Sequence, residues 1–214
     1  MSEQGRPLTG DDQGRRKPTG TAPLDTEEER ELLELARRGD TAAYTRLVRL
    51  HQDLIFGLVS RMVRDAHLAE EVTQDAFLRA YRGLDSFRGD ARFATWLYRI
   101  AVNLCRDHRE NPISKLRRLE TSLEGTGDRG LDPPAPHPRP DEELEAGQVA
   151  DGFQTELDAL DPMYREAFLL RHQEGLGYEE IAGILEISVS NAKVRVHRAR
   201  ELILGALRRR GFDV

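Results

Sequence analysis

The sequence predicts an all-α protein of two small helical domains. One is a four-helix bundle, the other a four-helix unit carrying a helix-turn-helix, and a flexible linker joins them. Three observations predict this. Apolar residues recur at steps of three and four through two long stretches, the period of amphipathic helices. No segment alternates over strand length, and no internal repeat is present. Between the two stretches, LEGTGDRGLDPPAPHPRP holds five prolines and no regular period, which is linker composition. The expected boundaries are a disordered tail over 1–25, a first domain over 26–110, the linker over 111–140 and a second domain over 141–214. A chain of 214 residues is long enough for this arrangement.

The elements follow in order. Residues 1–25 are rich in Gly, Pro, Thr and charge and too poor in apolar side chains to offset the entropy of ordering. Thr26 and Glu29 match a capping box, and Leu32, Leu33, Leu35 and Ala36 then recur at helical spacing up to Gly39. Asp40 caps a second helix carrying Tyr44, Leu47, Val48, Leu54, Ile55, Leu58, Val59 and Met62 on one broad face. A third runs from about Leu68 to Leu84, with Val72, Ala76, Phe77, Ala80 and Tyr81. A loop containing Gly89 leads to a fourth, from about Arg92 to His108. Short connections between four helices suggest a compact bundle. After the linker, Val149, Phe153, Leu157 and Leu160 share one face of a fifth helix. Asp161-Pro162 is a strong start signal for a sixth, over Met163 to His172, which closes near Glu174-Gly175. Two more are predicted over Tyr178 to Leu185 and Val189 to Leu207.

Composition narrows the function. Hydrophobic residues make up 38% and charged residues 33%, and no apolar run approaches the roughly 20 residues that span a bilayer. The basic N-terminus lacks an apolar core behind it, so it is not a secretory signal. A single cysteine, Cys105, excludes an intramolecular disulfide framework. Together these features predict a cytoplasmic protein without membrane insertion. The net charge of −6 argues on average against nucleic acid. The charge is segregated, however, with acids over Glu27 to Glu34 and Asp141 to Glu145 and bases over Lys193 to Arg200 and Arg208 to Arg210. Local sign decides binding, because salt screens charges beyond about 10 Å.

The C-terminal stretch YEEIAGILEISVSNAKVRVHRARELI has helix-turn-helix layout. Ile181, Ala182, Ile184 and Leu185 face inward on its first helix, and Ile187 plugs the corner. Val189, Ala192, Val196, Ala199 and Ile203 face inward on its second. Outward stand Ser190, Asn191, Lys193, Arg195, His197 and Arg198. Small polar and basic side chains near the start of such a helix suit the major groove. Arg pairs bidentately with guanine and Asn with adenine, while flanking cations neutralise phosphates. The alternative is a solvated basic face on an ordinary surface helix.

The stretch SFRGDARFATWLYRIAVN, from Ser86 to Asn103, concentrates aromatics in a chain with only 6% of them. Leu97, Ile100 and Leu104 read as core. Phe87 and Phe93 sit at the loop rather than in the helical stripe, with Arg88, Arg92 and Arg99 beside them. Rings flanked by guanidinium groups form a platform for unstacked bases, worth roughly 1–3 kcal/mol per base. Asn103 offers a donor and an acceptor for a base edge. Core packing is the competing reading for these rings, and Trp96 stands between the two. The preceding helix, HLAEEVTQDAFLRAYRGL, mixes Glu70, Glu71 and Asp75 with exposed-looking apolar residues. That reads either as a protein-docking face or as an ordinary charged surface helix.

These residues carry a resemblance. HLAEEVTQDAFLRAYRGLDSFRGDARFATWLYRIAVNLCRDH resembles region two of bacterial extracytoplasmic-function (ECF) RNA polymerase sigma factors. LDALDPMYREAFLLRHQEGLGYEEIAGILEISVSNAKVRVHRARELI resembles their region four. The likeness covers roughly residues 27–110 and 141–208 in the family's order, and DSFRGD and TWLYRIAVN are most similar to the envelope-stress type. It implies a protein that binds core RNA polymerase, recognises −35 and −10 promoter elements and promotes DNA melting. By similarity, Glu70, Glu71, Gln74, Asp75, Phe77, Leu78 and Tyr81 would dock on the polymerase clamp helices. Phe87, Arg88, Arg92, Phe93, Thr95, Trp96, Tyr98, Arg99 and Asn103 would bind the −10 element, with Phe87 and Asn103 at positions that hold a flipped base. The helix-turn-helix would read the −35 element and region four would meet the polymerase flap. An anti-sigma factor is implied as a further partner. Glu186 stands where the family's turn often carries Gly, and Ser190-Asn191-Ala192 replaces a usual Gly-Thr-Val. His197 replaces a residue that is often aromatic or aliphatic.

Other chemistries fit less well. Cys105 and His108 lie three apart on a helix, but without a second close pair they fall short of the four ligands of a structural metal site. Glu179-Glu180 reads as ordinary exposed charge at a helix start. No Gly-rich phosphate loop and no convergent catalytic set is present, so neither a cofactor nor enzymatic activity is expected. The competing reading is a helix-turn-helix regulator acting without polymerase, which would have no use for an unstacked-base pocket over Ser86 to Asn103.

Overall fold

The computed structural model describes residues 27–110 and 140–212. The expected N-terminal tail and all of the expected linker but Pro140 lie outside these residues. Among the described residues there are only helices and their connections. These are α1 (Glu27–Arg37), α2 (Thr41–Val63), α3 (Ala66–Gly83), a 3₁₀ turn (Leu84–Ser86) and α4 (Phe93–Glu110), then α5 (Pro140–Ala159), α6 (Pro162–His172), α7 (Tyr178–Leu185) and α8 (Val189–Arg209).

Side-chain caps place the helix starts. The Asp40 carboxylate accepts from the N–H groups of Ala42 at 2.8 Å and Ala43 at 3.1 Å. Asp65 accepts from Leu68 at 2.9 Å, Asp161 from Met163 at 2.9 Å and the Ser188 hydroxyl from Asn191 at 3.2 Å. Each satisfies a backbone donor that the first turn leaves free. Gly39 closes α1 at φ +91°, a left-handed conformation that glycine adopts at little cost.

The first four helices bury Leu47, Ile55, Leu58, Val72, Leu97 and Ala101 completely. Inside this core His51 is fully buried and its Nε2 lies 2.9 Å from Glu29 Oε1, tying α1 to α2. The last four helices bury Leu170, Ile181, Ile184, Ala199 and Ile203. Arg165, itself buried, donates to the carbonyls of Leu157, Asp158 and Leu160 and closes the C-terminus of α5.

The two helical groups pack together. α4 lies along α7, α2 touches α6, and the buried residues of both groups form one continuous cluster. The two-part architecture follows the sequence reading, which allowed the parts to pack together but left their relative orientation open. One local reading is corrected. Phe93 is the first residue of α4 and only 3% exposed, and Phe87 is 7% exposed. Both belong to the core, because the 3₁₀ turn folds Phe87 back so that its ring meets Phe93 at 5.6 Å and Trp96 at 5.2 Å between centroids.

Candidate nucleic-acid interface

The helix-turn-helix forms as α7 and α8, joined by a turn through Glu186 and Ile187. Buried Ala192, Val196, Ala199 and Ile203 seat α8 against the rest of its domain. Ser190, Asn191, Lys193, His197 and Arg198 are exposed, and Arg195 is half-buried. Arg195 Nε donates to Asn191 Oδ1 at 3.1 Å, and the Lys193 ammonium lies 5.7 Å from the centre of the Tyr178 ring. Val194, which the sequence reading passed over, is 60% exposed on this face. Its signal was available: it sits two positions from both Ala192 and Val196, on the side opposite the buried stripe.

The loop after the 3₁₀ turn bounds an open cleft of about 700 Å³ with α1, lined by Arg37, Phe87, Arg88, Arg92, Phe93 and Glu180 among others. Phe87, Arg88, Arg92 and Phe93 are thus brought together, although the two phenylalanines show the cleft little more than an edge. Thr95, Trp96, Tyr98, Arg99 and Asn103 are not among its lining residues. Trp96 is half-buried and completes a three-ring cluster with Phe87 and Phe93, each pair of rings in contact. Asn103 is half-buried too. It lies ten residues along α4 from Phe93, about 15 Å at the helical rise, and does not line the cleft beside Phe87.

On α3, Glu70, Glu71, Gln74, Leu78 and Tyr81 are exposed and Asp75 is half-buried. The Tyr81 ring packs on Tyr44, 4.7 Å between centroids. Phe77 differs from the reading that grouped it with these residues. It is only 7% exposed, and its carbonyl accepts the Tyr44 hydroxyl at 2.5 Å. Helical geometry turns it inward beside Val72, Thr73, Ala76 and Ala80.

One stripe of α4 is occupied by carboxylates of the second domain. Arg92 and the Thr95 hydroxyl donate to Glu180 Oε1 at 2.8 and 3.0 Å. Arg99 meets Glu186 at 2.7 Å. The buried Tyr98 hydroxyl donates to Glu174. Arg106 grips Glu166 at 2.6 and 3.0 Å, and Arg109 binds its other oxygen at 2.9 Å. Glu180 is therefore no ordinary helix-start charge, since its second oxygen caps its own helix at Gly177 N, 2.9 Å away. Burial pushes its carboxyl up, but the hydrogen bonds from Arg92, Gly177 and Thr95 outweigh this and leave it below the usual carboxylate range. Burial raises Glu174, against the lowering effect of the Tyr98 hydroxyl and Arg61. The sequence had no signal for these pairings, which join residues 57 to 88 positions apart.

Cys105 is buried, chiefly by which its thiol is pushed up to about 12. Among the described residues no three His, Cys, Asp or Glu side chains converge on a metal position. No helix among them is long and apolar enough to cross a membrane.

The family profile described as Sigma-70 region 2 matches residues 47–111, and that described as Sigma-70, region 4 matches residues 151–203. The RNA polymerase sigma-H factor of Pseudomonas aeruginosa is 36% identical over 189 residues, covering 86% of this chain and 96% of its own length. The ECF RNA polymerase sigma-E factor of Escherichia coli K12 is 38% identical over 177 residues, covering 80% and 90%. Among solved structures, CnrH in complex with the cytosolic domain of CnrY superposes with a TM-score of 0.59 at 26% identity, over 85% of this chain and 97% of that one. The sigma factor RpoE of Bartonella quintana, solved with the anti-sigma factor NepR, has a TM-score of 0.53 at 23% identity over 77% of this chain and 96% of that one, and shows the fold alone.

Proposed function

Because the chain belongs to the extracytoplasmic-function sigma factors of bacterial RNA polymerase, we propose the following division of labour along it. The protein binds core RNA polymerase, recognises −35 and −10 promoter elements and promotes melting. Exposed Glu70, Glu71, Gln74, Leu78 and Tyr81 on α3 dock on the polymerase clamp helices, and the second domain meets the flap. The outward side of α8, with Ser190, Asn191, Lys193, His197 and Arg198, reads the −35 duplex, and half-buried Arg195 steadies Asn191. Arg88, Arg92, Arg99 and Asn103 hold the −10 strand once it has unpaired, and Thr95 and Tyr98, buried against Glu180 and Glu174, join them only when the second domain moves off α4. Phe87, Phe93 and Trp96 act from behind as the packed wall that holds the loop.

The physical logic is affinity from the duplex and opening from capture. Capture of an unstacked base offsets the few kcal/mol needed to unpair it. The chain carries out no covalent chemistry and acts in the cytoplasm. A second protein, an anti-sigma factor, competes for these surfaces; CnrH too was solved bound to a second protein, the cytosolic domain of CnrY.

The observation that carries this reading is the pairing, in one chain, of a basic helix-turn-helix face with a separate arginine-lined strip on α4. The test is reconstitution with core polymerase on a two-element promoter, followed by permanganate footprinting of unpaired thymines. Arg198→Ala is expected to weaken duplex binding about tenfold, in line with 1–3 kcal/mol for a base-reading arginine. Arg92→Ala with Arg99→Ala should leave duplex binding intact and suppress the footprint. A chain that fails to bind core polymerase would overturn the reading.

A further inference from the structure

We infer that Val194 is a specificity determinant of the α8 face, reading the 5-methyl group of a thymine in the duplex element; this rests on the assignment of that face to −35 DNA. Val194 is two positions from Ala192 and from Val196, both buried. At 3.6 residues per turn it therefore stands nearly opposite the inner stripe, at the middle of the outward side. It is 60% exposed, the most exposed of the large apolar side chains among the described residues. One turn away on either side stand Ser190, Asn191, His197 and Arg198, all exposed and none apolar.

The charged neighbours lean away from it. Lys193 lies against the Tyr178 ring of α7, 5.7 Å from its centre. Arg195 is held by Asn191 at 3.1 Å. Arg198 and His197 reach toward Glu201, at 3.4 and 3.5 Å. This leaves an isolated apolar spot within a cationic rim. A protein partner would seat such a spot in a larger apolar patch, but the other exposed apolar side chain of α8, Leu202, lies two turns further on, beyond Arg198. Duplex DNA matches both parts: phosphates pair with the rim, and the one apolar group on a base edge in the major groove is the thymine methyl. Glu201 sits toward the C-terminal side, so the contact belongs to the first two turns, where recognition helices meet bases.

The experiment uses the full chain with core RNA polymerase. A −35 element is first selected from a duplex library randomised at that position. Each thymine in it is then replaced singly by deoxyuridine, which lacks only the methyl. One replacement is expected to weaken wild-type binding about three- to fivefold, the worth of burying one methyl group. Val194→Ser, with unchanged circular dichroism, should bind thymine and deoxyuridine at that position equally. An element without thymine overturns the inference. So does an element in which no replacement exceeds twofold, or a Val194→Ser protein that keeps the wild-type sensitivity. Failure to enrich any element would instead overturn the promoter assignment of α8, and this inference with it.

Discussion

Glu186 holds the turn of the helix-turn-helix in a left-handed conformation, φ +57° and ψ +45°, where a side chain is unfavourable. For an L-residue that conformation costs roughly 1–2 kcal/mol, and glycine avoids most of it. What Glu186 supplies in return is the 2.7 Å contact with Arg99 of the first domain, between side chains that are each more than half exposed. Exposed pairs of this kind contribute about 0–1 kcal/mol. Strain therefore outweighs the ion pair, and Glu186→Gly is expected to raise the urea midpoint of the second domain. A lowered midpoint would mean that the pair, and not the turn, dominates. The same residue marks a trade within the family likeness: this chain gives up the turn's easy glycine for a charge that points at α4.

At the scale of the helix, ends matter as much as faces. Arg165 lies in the first turns of α6, yet its guanidinium serves α5. It donates to the carbonyls of Leu157 at 3.1 Å, Asp158 at 2.7 Å and Leu160 at 3.0 Å. Burial, with Arg64 nearby, lowers this guanidinium to about 10, so it stays charged at neutral pH. Arg165→Ala leaves the Leu157 and Leu160 carbonyls without this donor, while Arg64 still serves Asp158, and an unsatisfied buried group costs about 1–3 kcal/mol. The expected result is a loss of that order in chemical denaturation, with amide exchange accelerated at the end of α5 and little changed in α2. The caps of α2 and α6 were legible, because Asp40 and Asp161-Pro162 act on backbone groups a few residues away. The use of Arg165 was not, since nothing local distinguishes a buried cation from a solvated one. The aromatic stretch was left open for a related reason. Helical period located Leu97 and Leu104, but Phe87 lies outside the helix, and its inward course depends on how the 3₁₀ turn folds back onto Phe93 and Trp96. Phe77 could have been placed in the core by spacing from Thr73 and Ala80, whereas its family likeness drew it to the surface.

For the whole molecule, the meeting of the two domains sets what the proposed promoter surfaces can do. Arg92, Thr95, Tyr98 and Arg99, assigned here to the −10 strand, are already bonded to Glu180, Glu174 and Glu186. A single strand must displace these carboxylates, so the closed chain should bind it weakly until the domains separate. Two of them respond to pH in opposite senses. Glu174 is raised by burial, facing the Tyr98 hydroxyl and Arg61. The closed state thus holds its proton more tightly than an open one. Its contribution to closure is full below the ordinary glutamate value and fades as pH rises through the raised one. Glu180 is lowered, with its burial outweighed by hydrogen bonds from Arg92, Gly177 and Thr95. Its contribution is full above the ordinary value and is lost as pH falls through the lowered one. Ionising Glu174 in the closed state therefore works against closure, while Glu180 supports it as a partner for Arg92. Glu174→Gln keeps an acceptor for Tyr98 without the charge and should close the free protein more firmly. Glu180→Gln weakens the Arg92 contact and should open it. Binding of a −10 single strand by the full chain at pH 7.5 should therefore fall in the first variant and rise in the second. The radius of gyration from small-angle scattering should move the same way, smaller in the first and larger in the second. If both substitutions shift binding in one direction, closure is not governed by these carboxylates, and the masking of α4 in solution must be abandoned.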